Sequence, residues 1–156
     1  MKKIFLSALM ILILTASNVY AAAQWRETAA VPKNFAQEVL YYVNIERAKG
    51  NVQQLRLADD LNKYAQIRAK EITKKFSHMR PNGSDCFSVV RGYYKFLGEN
   101  IAAGQRSAKD VVASWMKSPT HRENILNPRF REMGIGYVYV ENSKYKHFWA
   151  QFFRQR

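Results

Sequence analysis

Three side chains in this sequence are of the kinds that hold a metal ion or move a proton. They are His78 in FSHMRPNG (76–83), Glu99 in GEN (98–100) and His121 in SPTHRENIL (118–126). Two imidazoles and a carboxylate suffice for a three-ligand site with an open position, the form that a catalytic Zn²⁺ site takes. Their separations, 21 and 22 residues, match no short motif such as HExxH. Spacing alone equally allows each histidine an ordinary hydrogen bond within the fold. Other chemistry is sparse. Cys86 is the only cysteine, sits in GSDCFSVV without a thiol-protease signature, and reads as a buried, inert thiol. Ser118 lies three residues before His121, but it precedes Pro119 and reads as a helix cap rather than a nucleophile. Glu123 is a remote reserve candidate for a general base. No Ser-His-Asp or Cys-His arrangement appears by spacing.

The elements that must position these residues follow from periodicity. Phe35, Val39, Leu40 and Val43 recur at helical spacing after Asn34, a candidate N-cap, and Gly50-Asn51 ends that helix. Leu57, Leu61, Tyr64, Ala65, Ala69 and Ile72 predict a second amphipathic helix, with its Lys and Arg residues on the opposite face. Residues 77–98 are richer in Pro, Gly and Ser and read as a long loop with a short helix around 87–92. Residues 97–103 form a short apolar, extended segment. Ser107 and Asp110 have the capping-box form before a third helix whose buried face is Ala108, Val111, Val112, Trp115 and Met116. Ser118-Pro119 restarts helix, with Ser as N-cap. Residues 134–140 and 147–153 then predict two strands joined as a hairpin through 141–144. Helices first and a hairpin last predict an α+β fold, with helices packed on a small antiparallel sheet.

The chain begins with Lys2 and Lys3, then an apolar run at 4–14, then Val19 and Ala21 at the −3 and −1 positions of a cleavage site before Ala22. This is the layout of a secretory signal peptide; a run of eleven residues is too short for a membrane span, which takes about 20. The expected organisation is a signal peptide at 1–21, a short leader at 22–33 and one domain at 34–156. The mature chain then has no transmembrane segment and is secreted, extracellular or in the cell envelope. The full chain has a formal charge of +13, and loss of two lysines with the signal peptide leaves +11. Such a balance favours anionic surfaces, an envelope polymer or a lipid surface. Lys and Arg are scattered, and no recognition helix or RNP-like motif appears, so no nucleic-acid partner is expected. With one cysteine there is no internal disulfide, and packing alone must hold the domain.

The ordered set HMRPNG (78–83), GEN (98–100), WMKSPTH (115–121) and GIG (134–136) resembles the CAP superfamily of cysteine-rich secretory, antigen 5 and pathogenesis-related 1 proteins. The likeness covers about residues 35–153 and is greatest to the small bacterial SCP-like extracellular branch. It implies an α-β-α sandwich with a central cleft lined by His78, Glu99 and His121. Eukaryotic members carry a second glutamate where this chain has Ser118, so the implied cleft is a three-member version. Loss of one carboxylate weakens a site for Ca²⁺ most, while a His-His-Glu set suits Zn²⁺. The resemblance further implies that Asn100 fixes loop geometry and Trp115 is core. The function expected is that of a secreted, non-enzymatic binding protein, with a lipid-like ligand, an envelope polymer or a protein partner, and a divalent metal in its cleft. The alternative is a metal-dependent hydrolase using the same residues.

Overall fold

The computed structural model describes residues 34–156. The signal peptide and leader expected at 1–33 lie outside the described residues. In chain order the elements are α1 (Phe35–Lys49), β1 (Arg56–Leu57), α2 (Asp59–Ile72), a 3₁₀ turn (Cys86–Val89), β2 (Phe96–Ala103), α3 (Ala108–Lys117), α4 (Pro119–Leu126), β3 (Glu132–Tyr139) and β4 (His147–Gln155). The strands form one sheet in the order β1-β3-β4-β2. β4 is antiparallel to both neighbours, while β1 is parallel to β3. No helix among the described residues is long and apolar enough to cross a membrane.

β4 explains the layering. It is buried from Phe148 to Arg154, and its alternate side chains leave the sheet on opposite faces. Phe148, Ala150 and Phe152 pack with Leu61, Ala65, Ala69 and Ile72 of α2. Trp149 and Phe153 pack on the other face with Val39, Val43, Val111 and Trp115 of α1 and α3. A strand apolar on both faces belongs inside a sheet covered on both sides. The aromatic-rich run HFWAQFF is therefore the central strand of an α-β-α sandwich.

α2 lies unusually close to β3. A Cβ at Gly134 would overlap the backbone of Leu61, and one at Gly136 the backbone of Ala65. β1 pairs with only Glu132 and Met133, and beyond it the amides of β3 need other partners. Asn62 and Gln66 of α2 supply them, accepting from Ile135 N at 2.9 Å and Tyr137 N at 3.0 Å.

The capping expectations hold at two helices and fail at one. Asn34 accepts from the amides of Ala36 and Gln37, and Ser107 from that of Asp110. Ser118 occupies the N-cap position of α4 but makes no capping side-chain bond. Its hydroxyl lies 3.5 Å from that of Thr120 instead. Leu57, expected in the second helix, belongs to β1. The helix starts at Asp59 because Ala58 is extended and donates its amide to Met133 O at 2.9 Å.

Candidate functional site

Glu99 sits in β2 with its side chain 2% exposed, and two residues reach it from different elements. Arg68 of α2, fully buried, donates from Nε to Glu99 Oε1 at 2.7 Å. His78, in the loop after α2, lies with Nδ1 2.6 Å from Glu99 Oε2. A carboxylate only accepts, so Nδ1 carries the proton of that bond. Nε2 of His78 has no hydrogen-bond partner among the described residues, and the side chain is 58% exposed. The carboxylate thus anchors one nitrogen of the ring and leaves the other available.

The same arginine positions the loop. Arg68 donates from Nη1 to Glu71 at 2.7 Å and from Nη2 to the carbonyl of Ser77, the residue before His78, also at 2.7 Å. Glu71 in turn receives Arg80 at 2.7 Å. The loop closes on itself through the Met79–Asp85 bridge and the bond from Arg80 N to Ser84 O at 2.8 Å. Gly83 turns the chain at φ +84°, where a side chain would be strained. The motif HMRPNG is therefore a tight loop tied to α2, with its histidine held towards β2.

Cys86 lies beside this pair. Its Sγ, a His78 ring nitrogen and a Glu99 oxygen all lie within 4.8 Å of one another. Burial pushes the thiol far above its ordinary pKa, and the nearby charges of Glu99 and Asp85 push it the same way. It is a protonated, buried group, in keeping with an inert thiol. His121 does not join that trio. It lies in the first turn of α4, and Asn100 Nδ2, one residue on from Glu99, donates to its carbonyl at 3.2 Å. Asn100 is fully buried and also accepts from Asn124 Nδ2 at 2.9 Å, so it fastens α4 to β2. Trp115 is core, with Nε1 donating to Ile101 O at 3.3 Å.

The two histidines have opposite electrostatics. The hydrogen bond to Glu99 raises the His78 pKa above its ordinary value, against the opposing effect of burial. Burial lowers that of His121, and the charge on His78 lowers it further. Both effects favour the neutral imidazole at His121, the form that ligates metals. Glu123, the reserve base, is exposed on α4 and makes no bond to either histidine.

Arg68, Glu71 and Arg80 are not among the residues that the sequence singles out for this cluster. The spacing does carry a signal for Arg68. Leu61, Ala65, Arg68 and Ile72 fall at i, i+4, i+7 and i+11, so the arginine lies on the buried stripe rather than opposite it.

Comparison with known proteins shows the family and the fold. The family model of the CAP, cysteine-rich secretory protein, family matches residues 40–153. The uncharacterized protein YkwD of Bacillus subtilis is 35% identical over 133 residues, which is 80% of this chain and 52% of that protein. The chain thus spans about half the length of this relative. Among solved structures, an extracellular SCP-domain protein of Bacillus anthracis superposes with a TM-score of 0.66 at 27% identity, covering 78% of this chain and 40% of that one. An outer surface protein of Borrelia burgdorferi gives 0.64 at 21% identity, covering 73% and 86%, and shows the fold alone. With most of its length matched by the family model, the chain belongs to the CAP family.

Proposed function

We propose that this chain is an extracellular binding protein whose cleft takes up a divalent metal on the imidazoles of His78 and His121, with Glu99 orienting His78. The observation that carries this reading is the Arg68–Glu99–His78 chain of hydrogen bonds. A carboxylate that holds the far nitrogen of an imidazole is the usual companion of a metal-binding histidine. Both Glu99 oxygens are already engaged, so Glu99 acts on the metal through His78. Zn²⁺ takes neutral imidazole, so its binding would release the Nε2 proton that the raised pKa of His78 favours, and the ion would supply Lewis acidity at its open positions. Relatives described as extracellular or outer-surface proteins support the location, as does the amino-terminal pattern of charge and apolar residues. The excess of 25 basic over 12 acidic side chains supports an anionic envelope partner.

The 2.6 Å bond between His78 and Glu99 also favours a second reading, a metal-dependent hydrolase in which this pair moves a proton. Against it, neither candidate carboxylate stands free beside the histidines to act as general base on a metal-bound water: both Glu99 oxygens are engaged, and Glu123 bonds neither histidine among the described residues.

Calorimetric titration with Zn²⁺ tests the proposal, on wild type and on His78→Ala/His121→Ala. Saturable micromolar binding that the double variant loses while staying folded is the expected result. Equal heats in both proteins would overturn it. Turnover of peptides or esters that disappears with His78→Ala would favour the hydrolase.

A further inference from the structure

Residues 91–96 (RGYYKF) form an unbroken run of exposed residues from beyond the 3₁₀ turn to the first residue of β2. Three of the six are aromatic: Tyr93 is 72% exposed, Tyr94 38% and Phe96 47%. The chain turns outward after buried Val89 and Val90 at Gly92, where φ is +90°. It is pinned again by Lys95 N donating to Gln155 O at 2.8 Å. The rings are thus held out by a fixed turn, in a molecule that buries Phe130, Phe148, Trp149, Phe152 and Phe153.

The charge around these rings has one sign. Arg91 and Lys95 interleave with them, and the Arg129 guanidinium lies 4.8 Å from the centre of the Phe96 ring. None of these three cations forms an ion pair among the described residues, and no acid lies between Cys86 and Gly98. The acids near the end of β4, Asp60 and Glu132, are already held by Arg154, with Arg56 and Arg156 beside them.

From this we infer that the 91–96 turn, with Arg129, is a docking surface for an anionic lipid bilayer. The tyrosines and Phe96 would sit at headgroup level, where amphipathic rings are favoured, and the cations would meet the phosphates. A soluble polyanion would be served by the cations alone, and the exposed rings decide for a surface with an apolar interior. The inference rests on the extracellular reading above but makes no use of the cleft.

Vesicle flotation tests it, with phosphatidylglycerol–phosphatidylcholine vesicles against phosphatidylcholine vesicles, in the presence of chelator. Because the cleft metal is absent from this assay, its failure is separable from failure of the zinc titration. The protein should float with the anionic vesicles only. Arg91→Ser/Lys95→Ser should weaken partitioning by about fivefold per cation, roughly 25-fold together. Tyr93→Ser/Tyr94→Ser should weaken it as well, with the unfolding midpoint unchanged because both rings are exposed. Failure of the wild type to float with anionic vesicles would overturn the inference. Undiminished flotation of the tyrosine variant, with release by soluble polyphosphate, would overturn it in favour of a polymer ligand.

Discussion

Substituting Glu99→Gln keeps the shape of the site and removes the charge on which it is organised. Arg68 has no exposure and Glu99 almost none, so the pair is a buried one. Removing one partner of a buried ion pair costs about 3–5 kcal/mol when the other is left uncompensated. Arg68 keeps its bonds to Glu71 and to Ser77 O, two of its three, which places the expected loss near the low end, about 3 kcal/mol. An amide also has one acceptor where the carboxylate has two, so either Arg68 or His78 then faces an NH₂ group. The effect on His78 has a definite sign. Its two supports from Glu99, the hydrogen bond and the charge, are lost; burial and Arg68, which both lower its pKa, remain, opposed only by the weaker effect of Asp85. The His78 pKa should fall from above its ordinary value of 6.5 to below it. In the wild type the raised pKa contributes stability that is fully present below 6.5 and is lost as pH rises through the folded value. In the variant, protonation opposes folding. The stability gap between the two proteins should therefore widen as pH falls from about 8 to about 5.5. Urea denaturation at several pH values, with NMR titration of the histidine ring protons in metal-free protein, reads both quantities. A loss below about 1 kcal/mol, or a His78 pKa unmoved by the substitution, would refute the account of Glu99 as the organising group.

Further outcomes follow from other parts of the molecule. Gly136→Ala should cost about 3 kcal/mol, because its Cβ meets the carbonyl of Ala65 and α2 must retreat from the sheet; an unchanged urea midpoint would refute that packing. Arg47 is fully buried and donates to the carbonyls of Gln53, Ile125, Asn127 and Phe130. Arg47→Met should cost about 3 kcal/mol by orphaning them and should speed hydrogen exchange at 127–131; a variant as stable as wild type would contradict it. Acid should weaken the fold through Asp60, Glu71 and Glu132, whose pKa values are held below their ordinary 3.8 and 4.5 by arginine partners. Stability from them is complete above about pH 4.5 and is lost as pH falls through the depressed values. Denaturation midpoints at about pH 6, 4.5 and 3 read this, and a flat profile below about 4.5 would deny the ion pairs their role.

The apolar periodicities of α1, α2 and α3 place these helices to within a residue or two because each buries one stripe against the sheet. β1 is not legible, since two residues carry no period and their pairing is fixed by β3, far along the chain. HFWAQFF betrays a strand, and its central place shows in the absence of a polar face. His78, Glu99 and His121 can be named from their motifs, but their relation to one another cannot. The buried arginines escape such a reading because a charged side chain is assigned to solvent by default. Arg47 and Arg68 sit on the apolar stripes of their helices, and their positions say more than their charge does.

β4 is the last strand in the chain and lies inside the sheet, between β3 and β2. Glu99 pairs in register with Phe152, and Asn100 with Gln151. Until β4 is present, the helices and the other strands therefore have nothing to close on. The organising carboxylate gains its final surroundings only when the closing residues arrive. Loss of that one strand, by an early stop or by clipping in the 140–146 turn, would leave β3 and β2 without the strand that joins them. Strand order thus sets the order of assembly: the sheet cannot close until β4 has entered between β3 and β2, and that pairing is non-local for β2.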